Sequence, residues 1–117
     1  MILSGDTPAD ISKSVGVGFF GFADAYKELN PDLIIVLGDR YELISATYTA
    51  NIFRIPVCHI HGGECTEGLI DEATRHSITK MSQLHMVANK TYFKRVKQLG
   101  EQANRIFLVG GMGIDNI

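Results

Sequence analysis

Short apolar segments alternate with longer amphipathic segments along most of this chain. The first apolar segment, residues 33–37, is a run of aliphatic side chains between Pro31 and Gly38. Such a run predicts a strand that is buried on both faces of a sheet. Further strands are predicted at residues 56–61, 85–88 and 106–109. Because parallel strands need long crossovers, this alternation predicts a parallel sheet.

The segments between the strands have helical periodicity. We predict helices at residues 11–29, 42–53, 71–83 and 90–99. Glycines 16, 18 and 21 each cost the first helix about 1 kcal/mol relative to alanine, unless close packing requires them. The expected fold is α/β, a Rossmann-like three-layer parallel sheet with helices on both faces. No strand is predicted before the first helix.

The composition excludes several classes of protein. The chain has 117 residues, 45% of them hydrophobic and 21% charged, as in a globular domain. A formal charge of −2 gives no general attraction to nucleic acid or anionic membranes. We find neither a signal peptide nor an apolar segment long enough to cross a bilayer. Two cysteines make no disulfide framework, so we expect a cytoplasmic protein.

Polar side chains collect where the predicted strands end. Ligands of open α/β sheets bind beyond the carboxyl ends of the strands, so these residues are candidates for a site. In chain order, the candidates and the glycines that accompany them are Gly38, Asp39, Arg40, His59, His61, Glu64, Asp71, Glu72, Arg75, His76, Asn89, Gly110 and Gly111.

Asp39 has two interpretations of equal weight. Its carboxylate follows a buried strand, and burial of that kind suits a functional acid or base. Alternatively, Asp39 is the N-cap of the helix at residues 41–53, a position that aspartate favours.

His59 and His61 are two residues apart in a predicted strand, which would place both on one face. With Glu64 or Asp71 they could bind a metal in a metal-dependent hydrolase. A pair of hydrogen-bonded histidines at a strand end is the favoured interpretation. Gly62 and Gly63 permit either a tight turn or close approach of the backbone to a ligand.

Asp71 and Glu72 begin a predicted helix, where the helix dipole stabilises negative charge. Arg75 and His76 lie four residues further on, so each can pair with one of these acids. The density of ionisable groups near one edge also suggests acid–base chemistry on a polar ligand.

Several segments resemble the hydrolysing UDP-N-acetylglucosamine 2-epimerases, especially the branch that serves sialic acid synthesis. They are LGDRYE at 37–42, HIHGGE at 59–64, IDEATRHSITKMS at 70–82, RVKQLGE at 95–101 and VGGMGID at 109–115. The resemblance covers nearly the whole chain. It implies a two-domain GT-B enzyme, of which residues 1–117 are most of the first domain without its opening strand and helix.

The resemblance also implies a reaction. A base removes the sugar C2 proton, UDP leaves to give a 2-acetamidoglucal, and water adds to give N-acetylmannosamine. Neither nicotinamide nor metal is required. The family's carboxylates fall on Asp39 and Asp71, and the full-length enzyme is expected to be a homo-oligomer with a UDP-sugar substrate. The substrate-binding residues implied are Arg40, Gly62, Gly63, Glu72, Arg75, His76, Gly110 and Gly111.

One position departs from the family pattern. Relatives commonly have HIEGGE, whereas this chain has His61 in place of the first glutamate. Either His61 or Glu64 then supplies the third acid–base group. The departure leaves open a UDP-2,4-diacetamido sugar as substrate. Because residues 1–117 would lack the second domain that the resemblance implies, a non-catalytic binding or assembly role for them on their own also stays open.

Overall fold

The computed structural model describes residues 7–64 and 69–110, and residues 69–71 by their backbone alone. The helices are α1 (Pro8–Leu29), α2 (Glu42–Ile52), α3 (Leu69–Lys80) and α4 (Lys90–Gln98). The strands are β1 (Ile34–Leu37), β2 (Val57–Ile60), β3 (Leu84–Val87) and β4 (Ile106–Leu108), the last preceded by a 3₁₀ turn at Ala103–Arg105. All are paired in parallel in the order β1-β2-β3-β4, so the predicted parallel α/β fold is confirmed.

One face of the sheet carries a row of neighbouring residues, one from each strand: Val36, His59, His85 and Ile106. The crossover helices cover this row with Ala50 of α2, Thr79 of α3 and Val96 of α4. On the opposite face Ile35 and Leu37 are 63% and 55% exposed, whereas Cys58, the neighbour of Ile35, is buried.

The prediction of helices on both faces therefore fails for the described residues. The reason is topological. Each strand lies beside its predecessor, so all the crossovers move across the sheet in the same direction. Right-handed crossovers that move in one direction place their helices on one face. Helices reach the other face only when the strand order reverses, and the described strands contain no reversal.

Local chemistry moves several predicted boundaries. The Thr7 hydroxyl accepts from the Asp10 amide and Pro8 occupies the first turn, so α1 starts three residues early. The second strand ends at Ile60 because His61 has a φ of 71°, outside the extended region. None of the helices among residues 7–64 and 69–110 combines the length and apolar character that a bilayer-spanning segment needs.

Close packing of α1 on α2 explains one of the helical glycines. The Ser45 hydroxyl donates to the Val15 carbonyl at 2.6 Å. A Cβ added at Gly18 would lie 2.7 Å from that hydroxyl oxygen. Gly16 and Gly21 have no such neighbour within 4 Å. Glycine is therefore required at position 18, where the two helices are in contact.

We expect Gly18→Ala and Gly16→Ala to change stability in opposite directions. The methyl group at position 18 collides with Ser45 and should lower the free energy of unfolding by about 1–3 kcal/mol. At position 16 it meets open space and should raise that free energy by up to about 1 kcal/mol through helix propensity. Urea unfolding monitored by circular dichroism measures both. Equal shifts in the two variants would contradict the packing argument.

Candidate functional site

Arg75 joins the ends of two strands. It lies on α3 and is only 5% exposed. Its Nη2 donates to the Asp39 carboxylate after β1, and its Nη1 donates to the Glu64 carbonyl after β2 at 2.9 Å. A buried guanidinium requires a charged partner, since an unpaired buried charge is costly. The polar edge predicted from the sequence is therefore held together by this side chain.

Asp39 is not a helix cap. The N-cap of α2 is Tyr41, which makes no side-chain capping hydrogen bond. The carboxylate of Asp39 is instead paired with Arg75, 36 residues away in sequence. The capping interpretation is therefore wrong, and the acid–base interpretation of Asp39 stays a prediction.

His61 and Glu64 form a pair beside Asp39. The imidazole Nδ1 lies 2.9 Å from the Glu64 Oε2. An ionised carboxylate only accepts, so Nδ1 carries the proton and Nε2 is the remaining nitrogen. Nε2 has no hydrogen-bond partner among the described residues, and both side chains are partly exposed. The pair thus presents one free ring nitrogen.

His59 occupies a different environment from His61. It is fully buried, with Nε2 at 2.9 Å from the Gly38 carbonyl oxygen and Nδ1 at 3.0 Å from the Thr79 hydroxyl. Burial lowers the pKa of His59 to about 4, opposed by the bond to Gly38. The left-handed backbone of His61 breaks the strand alternation that would place both rings on one face.

These contacts contradict the metal-site alternative. Both nitrogens of His59 are engaged within the protein, so neither has a lone pair free for a metal. In the part of the chain that the structure describes, no group of three or more histidine, cysteine, aspartate and glutamate side chains is arranged to hold a metal ion.

The loop at residues 61–64 packs tightly against two helices. A Cβ at Gly62 would lie 3.1 Å from both His59 Nδ1 and the Thr79 hydroxyl oxygen. A Cβ at Gly63, whose φ is 79°, would lie 2.5 Å from the Tyr92 carbonyl oxygen. Gly63 is therefore required by its contact with α4, and Gly62 is closely packed against His59 and α3, whatever their backbone does for a ligand.

The remaining candidates are placed less centrally. Arg40 is exposed and paired with Glu42, away from Asp39. Glu72 and His76 form the expected pair at 3.4 Å. Asn89 caps α4 by accepting from the Tyr92 amide. Gly110, with a φ of 80°, follows β4 directly. Gly111 and the side chain of Asp71 lie outside the described residues.

Two supporting residues were missed in the sequence. Thr79 lies four residues after Arg75, so the helical period alone placed both on one face of α3. Arg95 donates to the Gly63 carbonyl and thereby fastens the loop to α4. No local signal distinguished Arg95 from the other basic residues of that helix.

A site built from these loops at the carboxyl edge of a parallel sheet can be compared with known proteins. The model of the UDP-N-acetylglucosamine 2-epimerase family matches residues 1–117. The chain belongs to this family.

The names of similar proteins specify different sugars. The chain is 43% identical to the hydrolysing GDP/UDP-N,N'-diacetylbacillosamine 2-epimerase of Campylobacter jejuni over 96% of its length and 29% of that protein. It is 45% identical to polysialic acid biosynthesis protein P7 of Escherichia coli, covering 91% of this chain and 27% of the relative. It is 38% identical to a UDP-N-acetylglucosamine 2-epimerase of Neisseria meningitidis, covering 75% of this chain and 23% of the relative.

Solved epimerase structures have the same fold. A UDP-N-acetylglucosamine 2-epimerase from Listeria monocytogenes, described as putative, matches 98% of this chain and 31% of its own with a TM-score of 0.88 at 21% identity. The Neisseria meningitidis enzyme bound to UDP-GlcNAc matches 90% of this chain and 29% of its own, with a TM-score of 0.84 at 23% identity. The chain thus spans less than a third of these epimerases.

The buried histidines make the stability of this chain pH-dependent. Burial lowers the pKa of His59 to about 4 and also lowers that of His85, where Glu101 opposes the shift. The unfolded chain takes up protons at these rings below about pH 6.5, whereas the folded chain resists protonation. Stability is therefore fully present above about pH 6.5 and falls towards pH 4, by about 3 kcal/mol for His59 alone.

Urea unfolding at about pH 7 and about pH 5.5 measures this loss, in a range where ordinary carboxylates are mostly ionised. His59→Gln should reduce the difference between the two pH values. An equal free energy of unfolding at both values in the unmodified protein would contradict the assignment.

Proposed function

We propose that the protein carrying these residues is a hydrolysing UDP-sugar 2-epimerase, which converts UDP-N-acetylglucosamine to N-acetylmannosamine and UDP. The family match supports the class of reaction. One observation supports placing the reaction at this site. Arg75 bonds to both the Asp39 carboxylate and the Glu64 carbonyl, and so brings Asp39 beside the loop of His61 and Glu64. Acid–base groups from separate loops are thereby gathered at one edge of the sheet.

The reaction requires two kinds of proton transfer. A base takes the C2 proton while the C1–O bond breaks and UDP departs with the bonding electrons. Water then adds across the resulting double bond, its oxygen to C1 and a proton to C2 on the opposite face. We assign Asp39 and Asp71 to these proton transfers. Asp71 is in the first turn of α3, the helix that carries Arg75.

The pair of His61 and Glu64 is proposed as the third acid–base group. Glu64 accepts from Nδ1 and so orients the imidazole, while Nε2 exchanges the proton with substrate or water. On this proposal His61 takes over from the family's usual acid and transfers the proton, while Glu64 positions it. Histidine is the side chain that enzymes use most often for such proton transfers.

A UDP-2,4-diacetamido sugar is the second candidate substrate. It is favoured by relatives, 43% and 38% identical, whose names specify a diacetylbacillosamine 2-epimerase. The relative named for polysialic acid biosynthesis favours N-acetylmannosamine and sialic acid synthesis instead. Both substrates share the same chemistry at C1 and C2, so the residue assignments hold for either.

The architecture proposed for the full-length enzyme is GT-B, with a second domain supplying much of the UDP pocket. We also propose a homo-oligomer located in the cytoplasm. On this view residues 1–117 supply one wall of the cleft. A non-catalytic role for these residues alone is compatible with this two-domain arrangement, because the other wall would come from the second domain.

UDP release from UDP-N-acetylglucosamine tests the reaction in the full-length protein. We expect Asp39→Asn and Asp71→Asn to lower kcat at least about 100-fold, because each removes a proton-transfer group. Asp39→Asn should also lower the melting temperature, since it leaves the buried Arg75 guanidinium without its charged partner. Asp24→Asn is the matched control, since Asp24 is an exposed residue of α1 outside the proposed site. If the unmodified protein releases UDP from neither candidate sugar, the proposed function is wrong.

Substitutions in the histidine–glutamate pair separate the two roles. Because the amide oxygen of a glutamine side chain can still accept from Nδ1, we expect Glu64→Gln to retain kcat within about tenfold of the unmodified enzyme. Removal of the transferring ring in His61→Gln should cost about 100-fold or more. His61→Glu should restore part of that loss by supplying the acid common in relatives. A larger loss in Glu64→Gln than in His61→Gln would reverse the assignment.

A further inference from the structure

We propose that His59, a buried residue outside the set assigned to the chemistry, is a positioning residue that fixes the Gly38–Asp39 peptide and so aims the Asp39 carboxylate. The proposal rests on the function proposed above. It concerns the neighbour of a catalytic group and assigns His59 no contact with substrate.

The hydrogen bonds of His59 have one consistent arrangement. The Gly38 carbonyl can only accept, so Nε2 must carry the ring proton and donate at 2.9 Å. Nδ1 is then an acceptor, and the Thr79 hydroxyl at 3.0 Å is its donor. The Arg75 carbonyl at 3.1 Å is the other acceptor within reach of that hydroxyl. A pKa of about 4 keeps the ring neutral near pH 7, as this arrangement requires.

Both the amide and the carbonyl of Gly38 are hydrogen-bonded. Its amide donates to the Ile60 carbonyl at 3.1 Å, the last sheet bond at this end of β1. Its carbonyl accepts from His59, and its φ of 89° turns the chain out of the strand. Without the imidazole, this carbonyl would be left without its donor at a backbone position that only glycine adopts easily.

The same helix secures both parts of Asp39. Thr79, which orients His59, lies one helical turn beyond Arg75, which binds the carboxylate. The backbone preceding Asp39 and the tip of its side chain are thus both held in place by residues of α3, the backbone through His59. That helix also carries Asp71, so His59 couples the placement of the two proposed catalytic carboxylates.

A histidine that merely filled the core would behave differently. It would tolerate glutamine and asparagine about equally, because the two amides differ by one methylene. A positioning histidine distinguishes them. Glutamine extends an amide nitrogen to the place of Nε2 and can donate to Gly38, whereas asparagine reaches only the place of Nδ1 and can bond only to Thr79.

The test compares His59→Gln with His59→Asn in the full-length protein. We expect His59→Gln to retain kcat within about fivefold, and His59→Asn to lose about 100-fold in kcat with KM within about threefold. The reason is that a misplaced carboxylate harms the transition state more than ground-state binding. Equal kcat values in two folded variants, or a loss confined to KM, would overturn the proposal.

Nuclear magnetic resonance of the ¹⁵N-labelled unmodified protein decides the case if either variant fails to fold. The expected result is a His59 ring protonated at Nε2, which does not titrate down to about pH 5. A proton on Nδ1, or titration near 6.5, would overturn the proposal. If the unmodified protein releases no UDP, the proposed function fails, and this spectrum still decides whether His59 donates to Gly38.

Discussion

The rest of the site depends on the hydrogen bonds that the buried Arg75 guanidinium makes to Asp39 and Glu64. Desolvating a positive charge costs several kcal/mol unless partners replace the lost water. The Asp39 carboxylate and the Glu64 carbonyl supply that replacement. Because these groups follow different strands, the folded state can bury Arg75 only when both strand ends and α3 are correctly assembled. The electrostatics of one side chain therefore impose the geometry of the whole edge.

The supporting contacts suggest a rigid site. Arg95 holds the Gly63 carbonyl from α4, and His59 holds the Gly38 carbonyl from β2. The left-handed φ of His61 is uncommon for a residue with a side chain. It lies between the His61 amide, which donates to the Met86 carbonyl, and Gly63, which Arg95 holds. A site whose backbone is fastened in this way needs little rearrangement when charge develops on the substrate, the condition under which electrostatic stabilisation is most effective.

Periodicity predicted the strands, the helices and the parallel sheet because these depend on neighbouring residues. It did not predict that the described helices share one face, since that depends on strand order rather than on any segment. The capping interpretation of Asp39 failed for a similar reason: its partner, Arg75, is 36 residues away. His59 and His61 look equivalent in sequence, and only a left-handed backbone at His61 separates them. Chemistry that clusters locally was predictable, whereas pairings across the sheet were not.

Relative to the HIEGGE pattern that the resemblance implies, histidine at position 61 changes the charge of this loop. A pattern with two glutamates would place two negative charges in this loop beside Asp39. His61 adds no negative charge in either protonation state, so the loop carries only that of Glu64. Arg75 is already paired with Asp39 and is not free to offset a second carboxylate. Because the proposed UDP-sugar substrate is itself anionic, we propose that histidine at this position lowers the electrostatic cost of binding while keeping a group that can transfer a proton.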